Sequence, residues 1–256
     1  MYGKLKYSLV NAISAVLLAA TVPAYGETLN VAVAANFVAA LEAIQIEFEA
    51  ESEHTIRIIR GSSGKHYAQI RSGAPFDVFL SADASRPQRL LEEGVAVADS
   101  LNTYALGQLA LWSREPGIAL GEEYLANSAN YTTIAMANPR VAPYGQAAAE
   151  LLEYLGITEL VGQKRVLGEN IAQTFQFAYS GNADLGLVAY SQTLSANIRA
   201  QGSTWLVPTH LHQPIRQDLV LLKDSTAARE FVAFMDSAVV AQILLQHGYL
   251  LPRVKR

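Results

Sequence analysis

The chain has 256 residues, of which 51% are hydrophobic and none is cysteine, and its formal net charge is −4. The lack of cysteine excludes a disulfide framework, a thiolate metal site, a cysteine nucleophile and a lipidated cysteine anchor. The acidic balance argues against a nucleic-acid partner, because proteins that bind nucleic acid carry basic surfaces.

The N-terminus has the pattern of a secretory signal peptide. Two lysines precede a largely apolar run over residues 9–22, and "AYG" then offers small residues at the positions that a signal peptidase recognises. A membrane anchor is the alternative, but the apolar run is short for a spanning helix and a cleavage site follows it. We therefore expect residues 1–26 to be a cleaved signal peptide and the protein to be periplasmic. Cleavage before Glu27 removes two basic and no acidic residues, so the net charge becomes −6.

The chain after the leader begins with alternating strands and helices. The predicted strands are "TLNVAVA" (28–34), "TIRIIR" (55–60) and "FDVFLSAD" (76–83). A predicted helix follows each of them: "FVAALEAIQIEFEAE", the segment after "GSSG", and "RPQRLLEEG". This order is typical of a mostly parallel sheet with helices on both faces.

A second pattern of the same kind begins after Gly107. Its predicted strands are "QLALWS", "TIAMANP", "KRVLG", "DLGLVAYS" and "QDLVLLKD", and its predicted helices are "GQAAAELLEYLG", "NIAQTFQFAYSG" and two segments within "TAAREFVAFMDSAVVAQILLQHGY". No polar linker separates the two patterns, so the sequence predicts an α/β fold of two lobes that face a cleft. We expect lobe one to hold residues 27–106 with 223–256, and lobe two to hold residues 107–222.

The loop "GSSGKHYAQI" (61–70) is the strongest candidate for a binding site. It is not a nucleotide P-loop, because His66 follows Gly64-Lys65 and Ile59 occupies the place of the first glycine. A serine that caps the following helix is the simpler interpretation. However, a cap needs one hydroxyl, whereas two serines between two glycines present more donors than a helix start requires. The loop therefore favours anion binding through local dipoles, which an acidic protein can still provide.

Three other strand-to-helix turns should lie at the same edge, because ligands of parallel sheets bind beyond the carboxyl ends of the strands. Asn36 follows the first strand and could cap a helix or contact a ligand. Tyr144 stands at a helix start after Pro143, where it could pack or point its hydroxyl across the cleft. Asn170 and Ile171 form a further helix start, for which an ordinary capped turn is an equally good interpretation.

Catalytic motifs are missing from the sequence. The five histidines show no zinc-binding spacing, and no G-x-S-x-G elbow is present. Asp77 and Asp83 flank a strand, but cap and turn roles explain both. The sequence therefore predicts no catalytic residue and no cofactor.

The motifs in their order resemble the periplasmic molybdate-binding proteins of ABC transporters. The motifs that carry the resemblance are "AANF", "GSSGKHYAQIRSGAPFDVFLSAD", "YALGQLALWS", "ANPRVAPYGQAA" and "GENIAQTFQFAYSGNADLGLVA". The resemblance implies a two-lobed binding protein whose chain crosses twice between the lobes. It also implies a protein that binds molybdate, and usually tungstate, and delivers it to a membrane permease. We expect a monomer.

The resemblance also implies a set of ligand contacts. The first-turn contact falls on Asn36, with Ala35 beside it, and the serine of the second loop falls on Ser63. The third contact falls on Tyr144 or on the N–H of Gly145, and the fourth is the backbone N–H of Ile171.

The chain departs from one subgroup of this family. Some members use a tyrosine hydroxyl late in the chain, at a position that is Ala189 here, followed by Tyr190. This departure favours the Tyr144 hydroxyl as the donor. Sulfate or another oxyanion is the alternative ligand, and an anion-dependent enzyme is the alternative of another class.

Overall fold

The computed structural model describes residues 26–252, which form two lobes, each built on a five-stranded sheet. The predicted signal peptide, apart from its last residue, Gly26, lies outside the described residues. The strands are β1 (Thr28–Ala34), β2 (Thr55–Gly61), β3 (Val78–Leu80), β4 (Asn102–Gly107), β5 (Leu109–Ser113), β6 (Ile134–Ala137), β7 (Arg165–Gly168), β8 (Leu185–Ala189), β9 (Ser203–Leu206) and β10 (Ile215–Leu221). The helices are α1 (Val38–Glu51), α2 (Ser63–Arg71), α3 (Ser85–Glu92), α4 (Glu122–Ala126), α5 (Pro143–Tyr154), α6 (Thr158–Gly162), α7 (Ile171–Tyr179), α8 (Ala196–Ala200), α9 (Thr226–Phe234) and α10 (Ala238–Gln246).

Each sheet contains one strand that runs against the other four. In lobe one the order is β2-β1-β3-β10-β4, and β10 is antiparallel to both of its neighbours. In lobe two the order is β7-β6-β8-β5-β9, and β5 is antiparallel to both of its neighbours. The predicted two-lobed α/β fold is therefore confirmed, with mostly parallel strand directions in each sheet.

The chain described here passes between the lobes twice. The first crossing is at Gln108, between β4 and β5, so that Gly107, which was expected in lobe two, ends a strand of lobe one. The second lies at residues 207–214, between β9 and β10. The expected end of lobe two at residue 222 is therefore wrong. β10 pairs with β3 and β4 in the first sheet, and the apolar pattern that predicted a strand there carries no information about which sheet the strand joins.

The core of lobe one explains why the C-terminal helices return to it. Phe48 of α1 packs edge-on against Phe231 of α9, with ring centroids 5.3 Å apart. The ring of Phe37 also packs edge-on against the rings of Tyr104 and Tyr249. These contacts hold the end of β1 against β4 and the C-terminal segment, at the side of the lobe that faces the cleft. Within residues 26–252, no helix has both the length and the apolar character that a bilayer crossing requires.

Candidate anion-binding site

A small cavity lies between the lobes, where the turns after β1, β2, β3, β6 and β7 meet. Its lining residues are Ala34, Ala35, Asn36, Gly61, Ser62, Ser63, Ala82, Ala142, Pro143, Tyr144, Asn170 and Ile171. Five of the six predicted contact residues are in this set, and Gly145 is not. None of the described residues that line the cavity carries a charged side chain, so the polar character of the cavity comes from neutral groups.

The two serines of the second loop have different positions and partners. Ser62 is the N-cap of α2, and its Oγ accepts the N–H of Lys65 at 3.3 Å. Ser63 is the first residue of the helix, is fully buried, and its Oγ accepts the N–H of Ala82 at 2.9 Å. Because the Ser63 oxygen is an acceptor in that bond, its hydroxyl proton remains available for another group. The loop thus supplies both a helix cap and a separate hydroxyl donor.

Free backbone N–H groups at the cavity include one at each of four helix starts. These four belong to Asn36, Ser63, Tyr144 and Ile171, and within the described part of the chain none of them has an acceptor. Each lies at the start of a helix, where the first N–H groups have no intrahelical partner and the helix dipole adds partial positive charge. Four helix starts therefore present free donors to one small space, which is an arrangement suited to an anion.

The third helix start, α5, differs from expectation at Gly145. The N–H of Gly145 donates to the carbonyl of Ala142 at 2.9 Å. A Cβ at Gly145 would also overlap the backbone of Ala137, so the residue packs tightly onto β6. Gly145 offers no free donor in this structure, which favours Tyr144 of the two alternatives for the third contact. The free donors at this turn belong to Tyr144.

The Tyr144 side chain is buried and neutral. Its hydroxyl oxygen accepts a long hydrogen bond from Nε2 of Gln217, at 3.4 Å. Burial raises the pKa of Tyr144 well above its usual value, and the nearby Tyr249 ring adds to the effect. The hydroxyl therefore keeps its proton and can donate it.

The amide of the Asn36 side chain donates both of its protons within the protein. Its Nδ2 donates to Oε1 of Gln217 at 2.9 Å and to the hydroxyl of Tyr249 at 3.2 Å, so both amide protons are used. Its Oδ1 is buried and has no hydrogen-bond partner within the described residues. The donor that Asn36 leaves free in this structure is therefore its backbone N–H, and a ligand contact at Asn36 stays a prediction.

The fourth helix start combines both interpretations that the sequence left open. Asn170 is an ordinary N-cap of α7, because its Oδ1 accepts the N–H groups of Ala172 and Gln173 at 3.0 Å each. That cap satisfies the second and third residues of the helix and leaves the N–H of Ile171 free. The capped turn and the donor are thus parts of one arrangement.

Contacts across the cleft hold the lobes together in this structure. The N–H of Gly64 donates to the carbonyl of Val141 at 2.9 Å. Nζ of Lys65 lies 2.5 Å from Oε2 of Glu169, and both side chains are more than half exposed. Lys65 therefore faces solvent and pairs with lobe two at the rim of the cleft and not inside the cavity.

Tyr190 is positioned by packing. Its ring lies against Gly248, where an added Cβ would be 2.9 Å from Cδ1 of the tyrosine. Its backbone N–H donates to the carbonyl of Gln108 at 2.9 Å. Tyr190 is not among the residues that line the cavity, so its position does not favour a ligand contact.

The sequence interpretation missed a buried polar cluster behind the cavity, formed by Gln217, Tyr104 and Tyr249. Oε1 of Gln217 accepts the hydroxyl of Tyr104 at 3.1 Å, and the Tyr249 hydroxyl donates to the Asn36 carbonyl at 2.7 Å. Burial raises the pKa of Tyr249 to about 12. The adjacent glutamine and aspartate in the strand "QDLVLL" were the available signal, because fully buried polar side chains need partners.

A buried histidine beside the second loop also stays neutral. His66 on α2 is buried, and desolvation lowers its pKa below the ordinary value. The imidazole therefore adds no positive charge behind the loop at neutral pH. Within residues 26–252, no group of three or more histidine, aspartate or glutamate side chains is placed to hold a metal ion.

Residues 29–250 match the model of a family described as bacterial extracellular solute-binding protein. The molybdate-binding protein ModA of Rhodobacter capsulatus is 41% identical over 239 residues, which cover 92% of this chain and 93% of the relative. The protein of the same name from Azotobacter vinelandii is 42% identical over 244 residues, which cover 94% of this chain and 96% of the relative.

Solved structures show the same architecture. The periplasmic molybdate-binding protein of Azotobacter vinelandii superposes with a TM-score of 0.83 at 36% identity, covering 88% of this chain and all of that one. The sulfate-binding protein SubI of Mycobacterium tuberculosis has a TM-score of 0.74 at 16% identity, covering 90% of this chain and 88% of that one. The second likeness shows the fold alone.

Proposed function

The chain belongs to the bacterial extracellular solute-binding protein family, and on that basis we propose that it captures molybdate, and also tungstate, between its lobes. The observation that carries the proposal is the convergence of four free backbone N–H groups and two hydroxyls on one cavity without a charged side chain. The two relatives with more than 40% identity are named for molybdate binding. The role is binding without turnover.

Neutral donors are sufficient for tight binding of a dianion. Each hydrogen bond to a charged group contributes ~1.5–3 kcal/mol. A nanomolar complex corresponds to about 12 kcal/mol. Four to six such bonds reach this range, and the surplus offsets the cost of closing the lobes and ordering the loops.

The donor set also favours particular oxyanions. A protonated anion such as hydrogen phosphate brings an O–H that needs an acceptor, and no carboxylate is among the lining residues. The buried Oδ1 of Asn36 is an amide oxygen, which is a weaker acceptor than a carboxylate. Sulfate brings no proton, but its oxygens lie closer to the central atom, so fixed donors would be too far away for good bonds.

Calorimetry with the ligand-free protein tests this function. We expect one molybdate per chain with high affinity, a similar result for tungstate, much weaker binding of sulfate and no detectable binding of phosphate. Each ligand that binds only the folded protein should also raise the melting temperature. Equal affinities for sulfate and molybdate would contradict the size argument and favour a general oxyanion receptor, and product formation would favour an enzyme.

We propose that the protein acts in the periplasm after removal of its signal peptide, as a monomer that passes the anion to the permease of an ABC transporter. Lobe closure supports this role, because it creates a surface that only the loaded protein presents. Intact mass of the exported protein should correspond to a chain that begins at or near Glu27. Full-length protein retained in the cytoplasm would contradict export.

A further inference from the structure

Gln217 has an unusual position for a polar residue. It lies within β10 and is fully buried, between strands β3 and β4 of lobe one. Its Oε1 accepts hydrogen bonds from Nδ2 of Asn36 and from the hydroxyl of Tyr104, at 2.9 and 3.1 Å. Its Nε2 donates to the hydroxyl oxygen of Tyr144 at 3.4 Å. One side chain therefore contacts two residues that line the cavity, although Gln217 itself does not line it.

The bond from Gln217 to Tyr144 crosses between the lobes. β10 belongs to the sheet of lobe one, whereas Tyr144 begins α5 of lobe two. Asn36 follows β1 in lobe one. Gln217 thus connects the first-lobe and second-lobe parts of the donor set, and this connection can exist only when the lobes are closed.

The direction of this bond decides what the Tyr144 hydroxyl can do. When Nε2 of Gln217 donates to the tyrosine oxygen, that oxygen is the acceptor and its own proton must point to another group. An acceptor in place of Nε2 would instead attract the proton. In the same way, Oε1 of Gln217 holds the Nδ2 end of the Asn36 amide, whose other end, Oδ1, is buried without a partner.

The backbone leaves room for this contact at Gly107. A Cβ at position 107 would lie 2.7 Å from Nε2 of Gln217 and would overlap the hydroxyl of Tyr144. Gly107 is the last residue of β4, directly before the first crossing. A side chain there would push Gln217 and Tyr144 apart.

We propose that Gln217 is a positioning residue of the anion site, which directs the Tyr144 hydroxyl proton into the cavity and fixes the Asn36 turn when the lobes close. This inference rests on the proposed function. It assigns to Gln217 a role in ligand retention that differs from the filling of space in the sheet, because it acts through a hydroxyl on the opposite lobe.

Gln217→Met tests the role, since methionine has a similar length and flexibility but makes no comparable hydrogen bonds. Stopped-flow measurements should show molybdate release at least about tenfold faster than from the unmodified protein, the effect of one weakened bond to a charged group. The matched control is Gln108→Met at the first crossing, which removes a bond to the Gly248 carbonyl and should release molybdate at the normal rate.

A double-mutant cycle with Tyr144→Phe separates positioning from a general loss of stability. If Gln217 acts through the Tyr144 hydroxyl, Gln217→Met should raise the molybdate release rate by less than about twofold in the Tyr144→Phe background. Effects that multiply in the double variant, or a normal release rate for Gln217→Met, would overturn the inference. If Gln217→Met does not fold, Gln217→Asn replaces it in the same cycle, because its shorter side chain keeps a buried amide but withdraws it from Tyr144, with the same expected result and the same contradicting outcomes.

The two proposals fail in different ways in this experiment. If the unmodified protein does not bind molybdate, the proposed function is wrong and the inference falls with it. If the unmodified protein binds molybdate and the variant cycle is additive, the function stands and the role of Gln217 alone is wrong.

Discussion

Replacing Gly64 with leucine should abolish tight molybdate binding while both lobes remain folded. A Cβ at position 64 would lie 2.9 Å from the Cα of Val141 and 3.0 Å from its carbonyl oxygen, and Val141 belongs to the other lobe. These atoms are backbone and cannot move aside without moving the turn before α5. The substitution should therefore block closure and leave the donors of lobe one unchanged.

The expected loss follows from the donors that closure brings. Tyr144 and Ile171 both belong to lobe two, and each contributes at least one bond of ~1.5–3 kcal/mol to the anion. Their loss corresponds to at least about a hundredfold weaker binding in calorimetry. The on-rate should change little, because the ligand meets the open protein, so most of the effect should appear in the off-rate.

Gly162→Leu is the matched control for this substitution. Gly162 ends the short helix α6 in lobe two, and a Cβ there meets no atom within 4 Å. This variant should bind molybdate as the unmodified protein does. Normal affinity of Gly64→Leu would show that the closed contact between Gly64 and Val141 is not needed for binding, and the account of closure would be wrong.

The parts of the site that could be predicted from sequence are those that depend on local chain geometry. A strand followed by a helix fixes where free N–H groups point, so the turns that carry Ser63, Tyr144 and Ile171 were identified from the sequence pattern. Which residues of those turns contact the ligand was implied by the family resemblance. The excess of hydroxyls in "GSSG" was also informative, because Ser62 caps the helix and Ser63 remains as a second donor.

The parts that could not be predicted depend on long-range pairing. β10 joins the first sheet because it fits between β3 and β4, and nothing in its own pattern specifies those neighbours. The direction of the Asn36 amide is set by Gln217, which is 181 positions away in sequence. β4 was also missed, since its partner in the sheet comes only after the chain has returned from lobe two.

The two adjacent serines of the loop should affect different properties when each is changed to alanine: Ser63→Ala the affinity for molybdate, and Ser62→Ala mainly the stability of the fold. Ser63→Ala removes a hydroxyl whose oxygen is already held by the N–H of Ala82, so its proton is the group that the ligand would lose. Molybdate affinity should fall by roughly 1.5–3 kcal/mol, or about tenfold to a hundredfold, in calorimetry. Ser62→Ala removes the N-cap of α2 and should lower stability by about 1 kcal/mol, with little change in affinity.

Ser62→Ala and Ser63→Ala are matched variants, because both serines are buried and both accept a backbone N–H. Ser63→Ala also leaves the Ala82 N–H without its acceptor, so some loss of stability is expected in both variants, and stability alone cannot distinguish them. Affinity can test the division, because the family resemblance assigns the anion contact to Ser63, although both hydroxyl protons are without an acceptor among the described residues and both serines line the cavity. If Ser62→Ala weakened molybdate as much as Ser63→Ala, the loop would act only by holding α2 in place, and the division of its two hydroxyls into a cap and a ligand donor would be wrong.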